Sequence, residues 1–291
     1  MRLILLCVAV GVSGCATTYN AGWSHPEVTT AAEADAAVKA AIEEGDALWA
    51  ERGDKAKLQK AIDKWEAAAA QRVDAALFTK IARGHYLLAD GFDALEGNFD
   101  QRDSEFQLGL DWATRALKAA APELAKALAE GKTLASSSGL VTKDAAKATY
   151  WYALTLGKWA GSRGVSTRLR YKDDINAAME QVQRLDERFF YAGPYRHFGT
   201  FEAQTDGLAG GSLERSEQNF KKGVELAPDF LGTKVLWAEH LCVARKDKAA
   251  FRQLLDEVLA ADAGVDPEIA VENRIEQQKA KRLLARIDDL F

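Results

Sequence analysis

Residues 198–230 read FGTFEAQTDGLAGGSLERSEQNFKKGVELAPDF. The pair Phe198-Gly199 sits in an apolar helical pattern. Some twenty residues on comes Ser216-x3-Phe220-x2-Gly223, then Pro228. Small residues at such positions let two helices cross closely, and a later proline ends the unit. Between the two halves, Gly207, Gly210 and Gly211 build a lengthened turn before Ser212, a helix N-cap. The stretch therefore predicts two antiparallel helices that share a tight crossing at Gly199.

The same pattern recurs. Ala61-x3-Trp65-x2-Ala68 fits a second helix, Leu156-Gly157 with Ala178-x3-Val182 fits a pair, and Trp237-Ala238 with Ala250-x3-Leu254 fits another. This is the tetratricopeptide pattern, here irregular. The loop after Phe198-Gly199 is about five residues longer than the usual 34-residue unit allows. The expected fold is all-α, an α-α superhelix of about 12 helices whose stacked pairs bury a shared core and leave a concave face. Asp54 is read as a cap, Thr30 and Glu33 as a capping box, and Pro122 as a first helical residue in a short helix ending at Gly131. SSSG at 136–139 is read as a loop. Helices are expected over 143–161, 173–189, 194–206, 212–226, 230–245, 248–260 and 267–289. The segment 75–135 resists division into pairs.

The N-terminus differs. MRLILLCVAVGVSGC carries one arginine, a short apolar run and then Val12-Ser13-Gly14-Cys15. That run is too short to span a bilayer and has the layout of a bacterial secretory signal ending in a lipobox. Residues 1–14 are read as the signal, 15–29 as the lipidated Cys15 with its flexible tether of residues 16–29, and 30–291 as the helical domain. Fourteen tether residues could reach about 50 Å. Ala16, rather than Asp, points to the periplasmic face of the outer membrane. Of the mature cysteines, Cys242 lies in an apolar helical face and reads as a small core residue.

With 48% hydrophobic and 28% charged residues, the chain has the composition of a globular protein. Its formal charge of -5 offers no basic excess for nucleic acid. His25, His85, His197 and His240 lack ligand spacing, and no H-E-x-x-H, G-x-S-x-G or P-loop occurs. No metal and no cofactor are expected. A wall hydrolase would need one buried glutamate; Glu202 and Glu239 occupy the best places, with nothing to single them out. Ligand or partner binding is placed instead on two segments. One is the aromatic wall of Trp151 and Trp159 beside a basic loop holding Arg168, Arg170 and Tyr171, able to receive a carboxylate. The other is the rim of Tyr191, Tyr195, Arg196 and His197, where Pro194 opens a helix. On this reading Arg196→Ala weakens binding without unfolding the protein.

The combination YWYA-x3-GKWA at 150–160, LDERFFYAGPYRHFG at 185–199, GGSLERSEQNF at 210–220 and TKVLWAE at 233–239 resembles the T-component family of TRAP transporters. The similarity runs from about residue 75 to the C-terminal LLARIDDLF. The resemblance implies a lipid-anchored periplasmic scaffold, not an enzyme. It implies association with a solute-binding P-component, homo-oligomers, and a pore or cleft for a small organic acid or a hydrophobic ligand. The alternative is a general tetratricopeptide lipoprotein that scaffolds an envelope assembly.

Overall fold

In the structure, a computed structural model, residues 16–24, 35–207 and 210–291 are described. The signal, Cys15, His25 and the Thr30–Glu33 capping box lie outside them. The described residues form 14 helices and no strand. Two helices open the domain, α1 (Asp35–Ala50) and α2 (Lys55–Ala69). α3 (Ala75–Leu87) continues through a π-helical turn (Leu88–Asp93) to Ala94–Glu96. α4 (Phe99–Ala120), α5 (Pro122–Ala129) and α6 (Leu134–Ser137) follow. Next come α7 (Ala146–Ser162), α8 (Val165–Leu185), α9 (Phe189–Gln204) and α10 (Leu213–Leu226). α11 (Gly232–Leu236) runs through a second π turn (Trp237–Cys242) into Val243–Arg245. α12 (Lys248–Ala260), α13 (Ala270–Ala285) and α14 (Ile287–Leu290) complete the chain.

The caps follow the sequence. Asp54 accepts the amides of Ala56 and Lys57, and Ser212 accepts that of Arg215. Pro122 opens α5, and Gly131 follows its end in the left-handed region. The crossings also match. A Cβ on Gly199 would sit 2.8 Å from the Phe220 ring, so only glycine admits the contact of α9 with α10. Gly45 meets Trp65 in the same way, which pairs α1 with α2. In the segment that resisted division, α3 pairs with α4, Gly109 lying against Ala82 and His85.

Two expectations need correction. SSSG is not a loop: Thr133 caps α6 by accepting the Ser136 amide at 3.1 Å, and a 3-10 turn (Ser138–Leu140) follows. Nor is the basic segment a loop. α8 starts at Val165, immediately after Gly164 breaks α7 at φ 101°. Its buried face near the start is Thr167, with Tyr171 half-buried, too polar to reveal an amphipathic helix.

The superhelix closes on itself. α13 packs against α3: a Cβ on Gly91 would lie 2.8 Å from Ile275. Glu272 bridges to Arg52 and Arg83 at 2.8 Å each. On its other side, Asn273 is fully buried, accepting the Leu231 amide at 3.0 Å and donating to the Asp229 carbonyl at 2.9 Å. The last long helix therefore joins the first repeats to the last.

Candidate functional site

The segment FFYAGP forms a break rather than a smooth helix start. Phe190, Tyr191 and Ala192 adopt φ of 44°, 56° and 58°, a left-handed turn built without glycine. Gly193 then passes within contact of the Tyr150 ring, where a Cβ would have no room. Arg196 is buried, 6% exposed. Its guanidinium donates to the carbonyls of Phe190, at 2.7 Å, and Tyr191, and lies 4.0 Å over Phe230. It is thus not a rim residue awaiting an anion; its donors brace the turn. Tyr191 donates to Asp266 at 2.9 Å and stacks on Phe230, while Tyr195 donates to Glu187 at 3.0 Å. Trp151 is core, edge-on to Phe190 and Tyr86.

The other predicted residues form a groove that is already filled. Residues 16–24 lie between α4, α7 and α8. The Thr17 amide donates to Thr167, and the Tyr19 amide to the Tyr171 hydroxyl at 2.6 Å. The Tyr19 hydroxyl donates to Asp111 at 2.8 Å and its ring packs on Trp159 at 5.5 Å. Trp159 itself donates to Gln107. Arg170 donates to Thr18 at 2.8 Å and to the Ala16 carbonyl, Lys118 to the Gly22 carbonyl, and Trp23 meets Tyr152 edge-on. The aromatic wall and part of the basic segment hold the protein's own chain. Arg168 is exposed on the first turn of α8, and its charge reaches His197 and His240.

A third cluster was not foreseen. Asp90, in the first π turn, accepts from Lys158 of α7 at 2.5 Å and from Lys279 of α13 at 2.6 Å. Lys279 also donates to Glu276 at 2.8 Å. Glu239, in the second π turn, lies within electrostatic reach of both lysines and of Asp90. For Asp90, Lys158, Lys279 and Glu239 burial is the largest influence on titration. Yet Lys158 keeps 37% of its side-chain surface open, Lys279 23%, Asp90 17% and Glu239 46%. These four groups therefore form a charged cluster that is crowded by protein and still partly open to solvent. Burial would raise the Asp90 carboxyl, but the two ammonium charges overcome it and hold the group well below the usual range. Burial would lower Lys158, but Asp90 and Tyr86 carry it well above the usual amine range. The lysines stay charged at neutral pH. Each ammonium has three donors, so the pair can serve both Asp90 and a carboxylate or hydroxyl of a small solute. π turns re-aim side chains and recur at functional positions; here each supplies a carboxylate to the cluster.

A family model described as TRAP transporter T-component matches residues 76–291, which takes in every helix from the second residue of α3 to the end and all the residues of the charged cluster. The chain belongs to this family. A comparison with curated proteins gives no match. T-components are parts of a transport system. Glu202 is tied to Arg215 by two bonds, at 2.9 and 2.8 Å, and accepts the Ser212 amide at 2.8 Å. Its work in this T-component is to close the long turn. Glu239 belongs to the charged cluster, where burial raises its carboxyl pKa against the pull of Lys158 and Lys279. The sequence did carry a signal for one member of the cluster. Lys158 stands between Leu156 and Trp159 on an otherwise buried stretch of helix, inside the GKWA motif.

Histidines set the pH response of this T-component. Burial, with the charge of Arg168, pushes His197 down to about 4. Burial, then Lys158 and Arg168, push His240 down to about 3. An unfolded histidine titrates near 6.5. Between those values the unfolded chain binds protons that the fold refuses, so stability is lost as pH falls from about 6.5 towards 4. His85 opposes this. Burial lowers it, but Glu105 at 2.7 Å and Glu66 at 3.2 Å raise it above the usual value. Its contribution is complete below about 6.5 and is lost as pH rises through the raised value. Urea unfolding across this range is expected to show maximal stability near neutrality. His240→Gln should flatten the acid side by on the order of 2 kcal/mol and leave the alkaline side unchanged.

Proposed function

We propose that this T-component is a lipid-anchored periplasmic accessory, held through Cys15, that docks a solute-binding P-component and offers its ligand the charged cluster of Asp90, Lys158, Lys279 and Glu239. The observation that supports it is the pairing of family membership with two enclosed, solvent-reached ammonium groups. Such a cluster favours a small organic acid over a hydrophobic ligand, since an apolar solute would leave the donors unsatisfied. No helix among the described residues is long and apolar enough to cross a membrane. The protein acts by binding, without catalysis.

Capture of the tagged, lipidated protein from native membranes is expected to recover a solute-binding protein, together with TRAP membrane subunits encoded nearby. Recovery of an outer-membrane insertion or wall-synthesis machine instead, with no solute-binding protein, would favour the general scaffold. Calorimetric titration with a panel of short mono- and dicarboxylates separates the ligand role. Lys158→Met should weaken any carboxylate that binds by at least about tenfold, a charged hydrogen bond being worth about 1.5–3 kcal/mol. Binding unaltered in the folded variant would place the ligand elsewhere. Sedimentation of the same protein reads the homo-oligomer that the resemblance implies.

A further inference from the structure

The docked segment 16–24 has a direction. Ala16 lies at Arg170 and Thr17 at Thr167, near the start of α8. Trp23 and Gly22 lie at Tyr152 and Lys118, towards the other end of α7 and α4. α4 runs antiparallel to α7, with Gln107 at Trp159 and Gly109 at Thr155. The start of α4, the end of α7 and the start of α8 therefore share one end of the bundle. In the sequence Ala16 directly follows the proposed lipidation site. Residues 16–24 are clasped, so they do not act as a long spacer between anchor and body.

That same end carries most of the exposed large hydrophobics among the described residues. Of the seven exposed large hydrophobics among the described residues, four lie here: Phe99 at 57%, Leu108 at 42%, Val165 at 74% and Leu169 at 50%. Val165 and Leu169 stand one turn apart on one stripe of α8. The run 163–172, RGVSTRLRYK, carries four cations and no anion. Nearby acids are partly answered: Asp103 pairs with Arg102 and Asp173 lies 3.6 Å from Lys172, leaving Asp100 exposed. An exposed apolar stripe rimmed by arginine fits a lipid headgroup layer, apolar groups inward and cations at the phosphates.

We infer that the end of the bundle formed by Phe99, Leu108, Val165 and Leu169, with Arg163 and Arg170, rests on the bilayer that holds the anchor. The inference rests on the proposed acylation of Cys15. The clasp on residues 16–24 fixes which face of the protein meets the lipid and turns the opposite end towards the periplasm.

The test uses the full chain, processed in a bacterial envelope and reconstituted in phosphatidylethanolamine–phosphatidylglycerol vesicles. Val165→Cys, Leu169→Cys and, as a control outside the patch, Val265→Cys each carry an environment-sensitive fluorophore. Cys242 is buried and does not compete for label. Labels at 165 and 169 are expected to be quenched by brominated lipid, with access to aqueous iodide at least about threefold lower than at 265. Equal iodide access at all three positions, in protein whose N-terminal peptide has the mass of acylated Cys15, overturns the inference and leaves the anchored reading standing. An unacylated Cys15 overturns both. Protection at 165 and 169 that persists without vesicles and grows with protein concentration assigns the face to a second copy of the chain, and also overturns it.

Discussion

Replacing Arg196 with alanine is expected to lower the free energy of unfolding by about 3 kcal/mol, because two charge-assisted hydrogen bonds to buried carbonyls are lost together. The left-handed turn of Phe190, Tyr191 and Ala192 is costly, about 1–3 kcal/mol for each such residue, and persists only where its surroundings hold it. Arg196 is what holds it, gripping the Phe190 and Tyr191 carbonyls while its charge lies over Phe230. Lysine should rescue little, since a point charge on a flexible stem does not present the guanidinium fork. Urea unfolding with far-UV dichroism reads the effect. A variant as stable as the parent would show that the turn is held by Phe190 packing on Trp151 and Tyr150 alone.

A loss of about 3–5 kcal/mol is expected for Glu272→Ala, the usual consequence of leaving a buried charge without its partner. Two charges are stranded here. Arg52 has a side chain 6% exposed and, among the described residues, meets no other carboxylate, its remaining bonds running to the carbonyls of Trp49 and Glu268. Arg83 lies over Trp49, Trp151 and Phe190, where burial presses its charge and Glu272 sustains it. A double-mutant cycle of Glu272→Ala with Arg52→Ala should return a coupling of at least about 1 kcal/mol. Additive losses would mean that the bridge contributes only through packing.

The fold was legible where its logic is local. Gly199 against Phe220 and Gly45 against Trp65 are steric facts between neighbouring helices, and a small-residue pattern records them. Caps such as Asp54 and Ser212 act within three residues. The charged cluster was not legible because its contacts are distant in sequence: Lys158 and Asp90 are 68 residues apart, Lys279 and Asp90 189. Nothing in a helical period announces that these positions converge. The turn at Phe190 was hidden for another reason, since left-handed backbone is expected at glycine or asparagine, and this sequence puts two aromatics and an alanine there. The basic segment misled because Thr167 meets Thr17, and Tyr171 divides its contacts between Tyr19 and Trp159.

Closure by α13 also imposes an order in time. Arg52 and Glu272 are separated by 220 residues. On the proposed export route, N-terminus first, the arginine arrives well before the glutamate. An ordinary solenoid can begin folding at any repeat and spread from there. This one cannot complete its first repeats until its last long helix has been made, for Arg52 and Arg83 wait without a counter-ion and Gly91 without Ile275. An unfinished or truncated chain is therefore recognisably incomplete at its beginning as well as at its end.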